Sequence, residues 1–228
     1  MTGEVLFADR RDAGRKLAKA VSGLDFRDPV VLALPRGGVP VGFEVAKALG
    51  APLDILMVRK IGAPGHEEYG IGALVDGASP QVVIDEAMAR AVGASRDYID
   101  MQIARELAEI ERRRALYRTG APVTLTGRTV IVVDDGIATG GTVRAALQGI
   151  AKTGAARVVL AVPLAPADVL TVLQTLCDQV VCLATPAPFH AVGLHYSDFR
   201  QTGDEEVIAL LAQARTWDKP DHHSERMV

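Results

Sequence analysis

Apolar residues in this chain gather in short unbroken runs rather than alternating with polar ones. Val30-Val31-Leu32-Ala33-Leu34 is one run, closed by Pro35 and the pair Gly37-Gly38. Leu53 to Val58, interrupted only by Asp54, is a second, and Val130 to Val133, after the Thr126-Gly127 turn, is a third. Arg157 to Val162 and Val180 to Leu183 repeat the pattern. Runs of this kind predict strands buried on both faces, as in a parallel sheet. Between them, residues 39–49, 142–152 and 167–176 read as helices, the first two stopped by Gly50 and Gly154. Strand-helix-strand alternation predicts an α/β fold with a doubly wound parallel sheet and helices on both sides.

Two stretches break the rhythm. Residues 59–80 are rich in glycine, contain Pro64 and Pro80, and carry the charged cluster His66-Glu67-Glu68. This is too long and too polar for a simple connector, and it reads as a functional loop, mobile until a ligand arrives. Residues 85–118 read as a helical insertion. Ile99, Ile103, Leu107, Ile110 and Tyr117 make an apolar stripe, flanked by Arg105/Glu109 and Glu109/Arg113 at i,i+4 spacing. The stripe fits packing on the sheet, or a helix that covers the site or forms a dimer. Residues 1–218 read as one domain, and 219–228 as a polar, disordered tail that includes His222-His223. There is no internal repeat.

Composition narrows the classes. The 228 residues are 49% hydrophobic and 23% charged, with a formal net charge of -3. That is the balance of a soluble globular chain, with no global pull toward nucleic acid or an anionic membrane. No apolar run approaches the roughly 20 residues of a membrane span. The first twenty residues carry scattered charges and no apolar core, so no secretory leader is expected and the chain reads as cytoplasmic. Cys177 and Cys182, without partners at zinc spacing, read as reduced structural thiols and not as a metal site.

The chemistry gathers at residues 130–142. Four apolar residues lead into Asp134-Asp135, then Gly136-Ile137-Ala138-Thr139-Gly140-Gly141-Thr142 opens a helix. Ligands of parallel sheets bind at the carboxyl ends of strands. Backbone N–H groups of Ala138 to Thr142, with the helix N-terminus, can form a phosphate cradle, and the glycines allow close approach. There is no GxxxxGK[ST] and no GxGxxG, so neither a polyphosphate loop nor a dinucleotide fingerprint is present. Two acids beside a phosphate make sense when the ligand also offers hydroxyl donors, as a ribose 5-phosphate does. A plainer alternative is that the acids only cap the following helix.

This segment resembles the PRPP-binding motif of type I phosphoribosyltransferases: apolar run, acid pair, then Thr139-Gly140-Gly141-Thr142. Gly136 stands where that family more often has an apolar residue. Leu34 to Pro40 resembles the pyrophosphate-binding loop of the family, in which non-proline cis peptides are common, with Arg36, Gly37 and Gly38 at the cleft. A helix-opening turn is its bland alternative. Arg59-Lys60 followed by His66 resembles, more loosely, the flexible catalytic loop of orotate-type members. In this reading cations close over the pyrophosphate leaving group, while His66 as a surface residue stays open. Phe189, Tyr196 and Phe199 lie in eleven residues of an aromatic-poor chain. They are candidates to stack on a base in a small carboxyl-terminal hood, and equally candidates for core packing.

The resemblance spans about residues 5–210. It implies a phosphoribosyltransferase that moves the 5-phosphoribosyl group of PRPP to a base, releasing pyrophosphate, with Mg2+ entering on PRPP, and it leads us to expect a homodimer. Asp134 and Asp135 would hold the ribose hydroxyls. A non-catalytic PRPP-binding regulator is the rival reading, and a PRPP synthetase a second. Neither a helix-turn-helix nor a basic balance supports the first, and the chain looks short for the second.

Overall fold

The structure is a computed structural model that describes residues 4–76, 80–117 and 121–217, apart from the side chains of Glu67 and Glu68. The five apolar runs become β1 (Pro29–Ala33), β2 (Leu53–Ile55), β6 (Thr129–Val133), β7 (Arg157–Leu164) and β8 (Gln179–Ala184). They form one parallel sheet in the order β2-β1-β6-β7-β8. The α/β reading is met. Because successive side chains of a strand point to opposite faces, each run feeds two cores. Val31, Ala33, Ile131, Val133, Val159 and Ala161 line one face. Val30, Leu32, Val130, Val132, Leu160 and Val162 line the other.

The first face is covered by α1 (Arg10–Ser22), α2 (Gly38–Leu49) and α7 (Asp204–Arg215). The Asp9 carboxylate caps α1 by accepting from the Asp12 N–H at 2.7 Å. Helices α1 and α2 cross closely at Gly14, where a Cβ would stand 2.9 Å from both Glu44 Cβ and the Val41 carbonyl. The second face is covered by α5 (Gly141–Ile150) and α6 (Ala167–Leu173).

Residues 59–80 are not the loop that their composition predicts. Val58–Ala63 (β3), His66–Val75 (β4) and Gln81–Ile84 (β5) form a separate three-stranded antiparallel sheet. The tight turn between β3 and β4 uses Gly65 at φ 74°, which glycine adopts without a side-chain clash. The glycines serve the turn and the packing rather than mobility. A Cβ at Gly72 would lie 2.5 Å from the Val83 carbonyl of β5. Pro80 is coil and residues 77–79 lie outside the described set.

The helical insertion is two helices, α3 (Glu86–Ala91) and α4 (Arg96–Tyr117), parted at Gly93 with φ 70°. Ile99 and Ile103 pack with Ile61 and Ile71 of the small sheet. Ile110 and Tyr117 join the main core. The stripe is therefore used for packing inside the chain. Glu109 does pair with Arg113 at 2.7 Å, and also with Arg112. Residues 4–8 run alongside 195–198 through the Phe7–Tyr196 bridge, closing the carboxyl-terminal segment over Leu164 and Leu183. The 219–228 tail lies outside the described residues. Among the described residues no helix is long and apolar enough to cross a membrane.

The small sheet packs on α5, tightly at Gly149. A Cβ at Gly149 would fall 2.7 Å from Val75 Cβ. Gly149→Ala should overpack this contact by about 1–3 kcal/mol, offset by up to about 1 kcal/mol of helix propensity. Urea unfolding of Gly149→Ala, Val75→Ala and the double variant checks it. The two changes should offset one another, whereas additive losses would show that the sheet does not rest on Gly149.

Candidate active site

Two strand ends bring the predicted loops together. Beyond β1, Leu34 donates its N–H to the Val133 carbonyl of β6 at 2.9 Å, so both chains leave the sheet side by side. The loop after β1 carries a cis Pro35–Arg36 peptide, the feature its family resemblance implies. Gly38 lies against β6, where a Cβ would meet the Val133 carbonyl at 2.8 Å. Gly37 lies over the second acid, where a Cβ would fall 2.1 Å from Asp135 Oδ2. Any side chain at 37 would displace that carboxylate.

The acid pair is well enclosed. The Asp135 N–H donates to Asp134 Oδ1 at 2.9 Å. Burial pushes the Asp134 carboxyl well above the usual range, and the Asp135 charge beside it pushes the same way. Burial also raises Asp135, against the pull of Arg10. Arg10 Nε donates to Asp135 Oδ2 at 2.7 Å, with only 12% of the arginine side chain and 15% of the aspartate side chain exposed. The Tyr196 hydroxyl donates to the Asp135 carbonyl at 2.5 Å. Neither Arg10 nor this role for Tyr196 was readable from the motif. The two lie 125 and 61 residues from Asp135 in sequence.

The loop from Gly136 to Thr142 is anchored by Ile137, which is buried and donates its N–H to the Leu164 carbonyl at 2.9 Å. Gly136 is packed on Val192, 2.6 Å from where its Cβ would stand, so the departure from the family pattern here makes room for the carboxyl-terminal segment. Gly140, at φ 76°, caps α5 where a Cβ would meet Val169. Ala138, Thr139, Gly141 and Thr142 stay exposed at the mouth of α5. The first N–H groups of a helix have no intrahelical acceptor, so this mouth can receive an anion.

Arg36 stands at the same rim, 3.4 Å from Asp204 of α7, with about a third of its side chain exposed. Asp204 also accepts a hydrogen bond from Tyr117 at the end of α4. That bond, with the nearby Arg36, holds the Asp204 carboxyl below its ordinary range. The other predicted cations separate. Arg59 Nε reaches Glu106 of α4 at 2.6 Å. Lys60 points across the strand into a cleft of about 380 Å³ between the small sheet and α5, lined also by Gly141 and Arg144. Arg59 and Lys60 thus face different partners, because neighbours in a strand face opposite ways. His66 is exposed at the start of β4.

The aromatic trio splits between packing and partial exposure. Tyr196 is only 5% exposed, with Phe7 and Phe199 rings at 5.2 and 5.0 Å. Its ring has no face to offer a base. The Arg10 guanidinium lies 3.9 Å over the Phe199 ring and covers that face. Phe189 sits beside His195, with centroids 5.6 Å apart. Core packing, the open alternative, is what holds Tyr196.

At the carboxyl edge of the parallel sheet an acid pair, an exposed helix mouth and an arginine-bearing loop stand together. The chain belongs to the phosphoribosyl transferase domain family, whose model matches residues 8–196. Over 210 residues it is 48% identical to two Mycobacterium tuberculosis proteins, MT0597 and Rv0571c, whose names include the words phosphoribosyl transferase. The match covers 92% of this chain and 47% of each relative, so the chain spans about half their length. TT1426 from Thermus thermophilus, known from a crystal structure, is 40% identical with a TM-score of 0.79. That match covers 92% of this chain and 99% of TT1426.

The raised carboxyls imply a pH signature. A folded Asp134 keeps its proton where the unfolded chain has lost it. Its favourable contribution is full below the ordinary carboxylate range and is lost as pH rises through the raised folded value. Asp134→Asn should therefore melt above the parent near neutral pH, with the gap closing as pH falls toward about 4. A variant that melts lower at neutral pH would show instead that Asp134 is a helix-capping residue.

Proposed function

We propose that the chain transfers the 5-phosphoribosyl group of PRPP to a nitrogenous base and releases pyrophosphate. The observation that carries this is the contact between the two loops. Gly37 lies on the Asp135 carboxylate, so a ligand held by one loop is within reach of the other. In this reading the N–H groups of Ala138 to Thr142 and the Thr139 and Thr142 hydroxyls hold the 5-phosphate. Asp134 and Asp135 accept from the ribose hydroxyls. Arg36, Gly37 and Gly38 receive the pyrophosphate, with Arg36 drawn off Asp204.

The base nitrogen attacks C1 as the bond to the pyrophosphate oxygen breaks, through an oxocarbenium-like transition state. The protein's part is to align the reactants and to stabilise charge on the leaving group. Two carboxylates are too few for a magnesium cage, which suits an ion that brings most of its oxygens from PRPP and water. Bound there, Mg2+ would neutralise the departing pyrophosphate. Lys60, on the phosphate side of the cleft, fits the 5-phosphate rim better than the pyrophosphate loop. Arg59 and His66 would act only after the small sheet moves. Phe189 remains the candidate for the base.

PRPP, Mg2+ and a panel of purine, pyrimidine and other nitrogenous bases, read by pyrophosphate release, test the reaction. Release dependent on one base is expected, and no release with any base, despite PRPP binding, would overturn the transfer. Arg36→Ala should weaken PRPP binding strongly and ribose 5-phosphate binding much less, because a charge-assisted bond is about twice as strong as a neutral one. Equal losses in calorimetry would make Arg36 a structural residue. Asp135→Asn should cost PRPP affinity about 1.5–3 kcal/mol.

A further inference from the structure

Arg10 belongs to neither motif, yet it bonds the second acid directly. Its Nε donates to Asp135 Oδ2 at 2.7 Å and its Nη1 to the Arg200 carbonyl at 2.6 Å. Its guanidinium plane rests 3.9 Å from the centre of the Phe199 ring. Gly37 lies alongside, where a Cβ would stand 3.2 Å from Arg10 Nε. A guanidinium stacked on an aromatic ring, bonded at two edges and flanked by backbone, has one orientation available. Such a group is built to aim another.

We infer that Arg10 is a positioning residue: it holds the Asp135 carboxylate in a fixed, charged orientation for the ribose hydroxyls of PRPP. This rests on the ribose reading of Asp135 given above. Through Nε, Arg10 bonds only Oδ2, and a carboxylate has about four acceptor positions on two oxygens. The Arg10 bond occupies Oδ2, which leaves acceptor positions on the carboxylate for a hydroxyl while the ion pair stays in place. The same cation offsets part of the negative charge that two adjacent acids present to an anionic ligand. No other cation is in hydrogen-bond contact with either acid among the described residues. Arg36 is engaged with Asp204, Arg11 with Glu44 at 2.6 Å, and Arg200 with Asp198 at 2.6 Å.

Lysine cannot reproduce this geometry. Its ammonium keeps the charge but lacks the planar fork that stacks on Phe199 and reaches Asp135 and Arg200 together. Arg10→Lys should therefore restore part of what Arg10→Gln loses.

The test is a double-mutant cycle on PRPP binding by calorimetry, in the presence of Mg2+, with Arg10→Gln, Asp135→Asn, the double variant and Arg10→Lys. Melting of each without ligand reports folding. Arg10→Gln should weaken PRPP binding about tenfold or more, the usual effect of losing one charge-assisted bond. Added to Asp135→Asn it should cost little further, because the carboxylate it aims is gone. Arg10→Lys should bind between parent and Arg10→Gln. Independent losses that multiply in the double variant would show that Arg10 acts elsewhere and would overturn the inference. So would an Arg10→Gln variant that melts lower yet binds PRPP like the parent. If Asp135→Asn itself binds PRPP unchanged, the ribose reading fails, and this inference with it.

Discussion

Two adjacent carboxylates at the buried end of a central strand must be compensated, and that requirement organises the cleft. Burial penalises both charges, and the Asp135 charge adds to the penalty on Asp134. The fold answers with groups from four separate places. The Asp135 N–H turns back to Asp134 Oδ1. Arg10, at the start of the capped helix α1, pairs with Asp135. Tyr196 holds the Asp135 carbonyl through its hydroxyl. Gly37 leaves a gap of one side chain, so that the loop after β1 can close over the pair. The amino-terminal helix, both motif loops and the carboxyl-terminal segment thus converge on one residue.

That convergence depends on a rigid platform. The five-stranded sheet has two full cores, so β1 and β6 cannot shift relative to one another without disturbing both faces. The loops inherit this precision because they leave adjacent strand ends, tied by the Leu34–Val133 hydrogen bond. Around the platform the charged groups are held in pairs between elements: Arg36 with α7, Arg59 with α4, Asp76 at the end of β4 with Arg114 of α4. The Arg36 pair is solvent-exposed and contributes little to stability, whereas the Glu106 and Asp76 carboxylates are buried. The consequence of these pairs is placement, since each one decides which cations face the acid pair and which face away.

The small antiparallel sheet shows how one composition can serve two structures. Glycine, proline and charge in residues 59–80 suggest a mobile loop when read in isolation. In the folded chain Gly65 makes a hairpin turn, while Gly70 and Gly72 line the cleft where the sheet meets α5. Ile61 and Ile71 then pack on Ile99 of α4. The insertion helix and the hairpin complete one another, which is why neither could be placed from its own residues.

What the sequence determined by itself was everything carried by short-range pattern. Apolar runs of four to six residues gave buried parallel strands, since only a strand covered on both sides tolerates such runs. Asp134-Asp135 and Thr139-Gly140-Gly141-Thr142 singled out this strand end as the candidate site, because acids and glycines at a strand end are costly without a partner. The tertiary structure alone decided which groups meet. Arg10 reaches Asp135 across 125 residues. Tyr196 gives its hydroxyl to the acid loop and buries its ring, where its spacing to Phe189 and Phe199 suggested a base platform. Arg59 and Lys60, adjacent in sequence, face different partners because a strand turns each residue away from the last. Local pattern records burial and backbone freedom. Pairing between distant side chains is set by how helices and loops pack, and no window of sequence contains it.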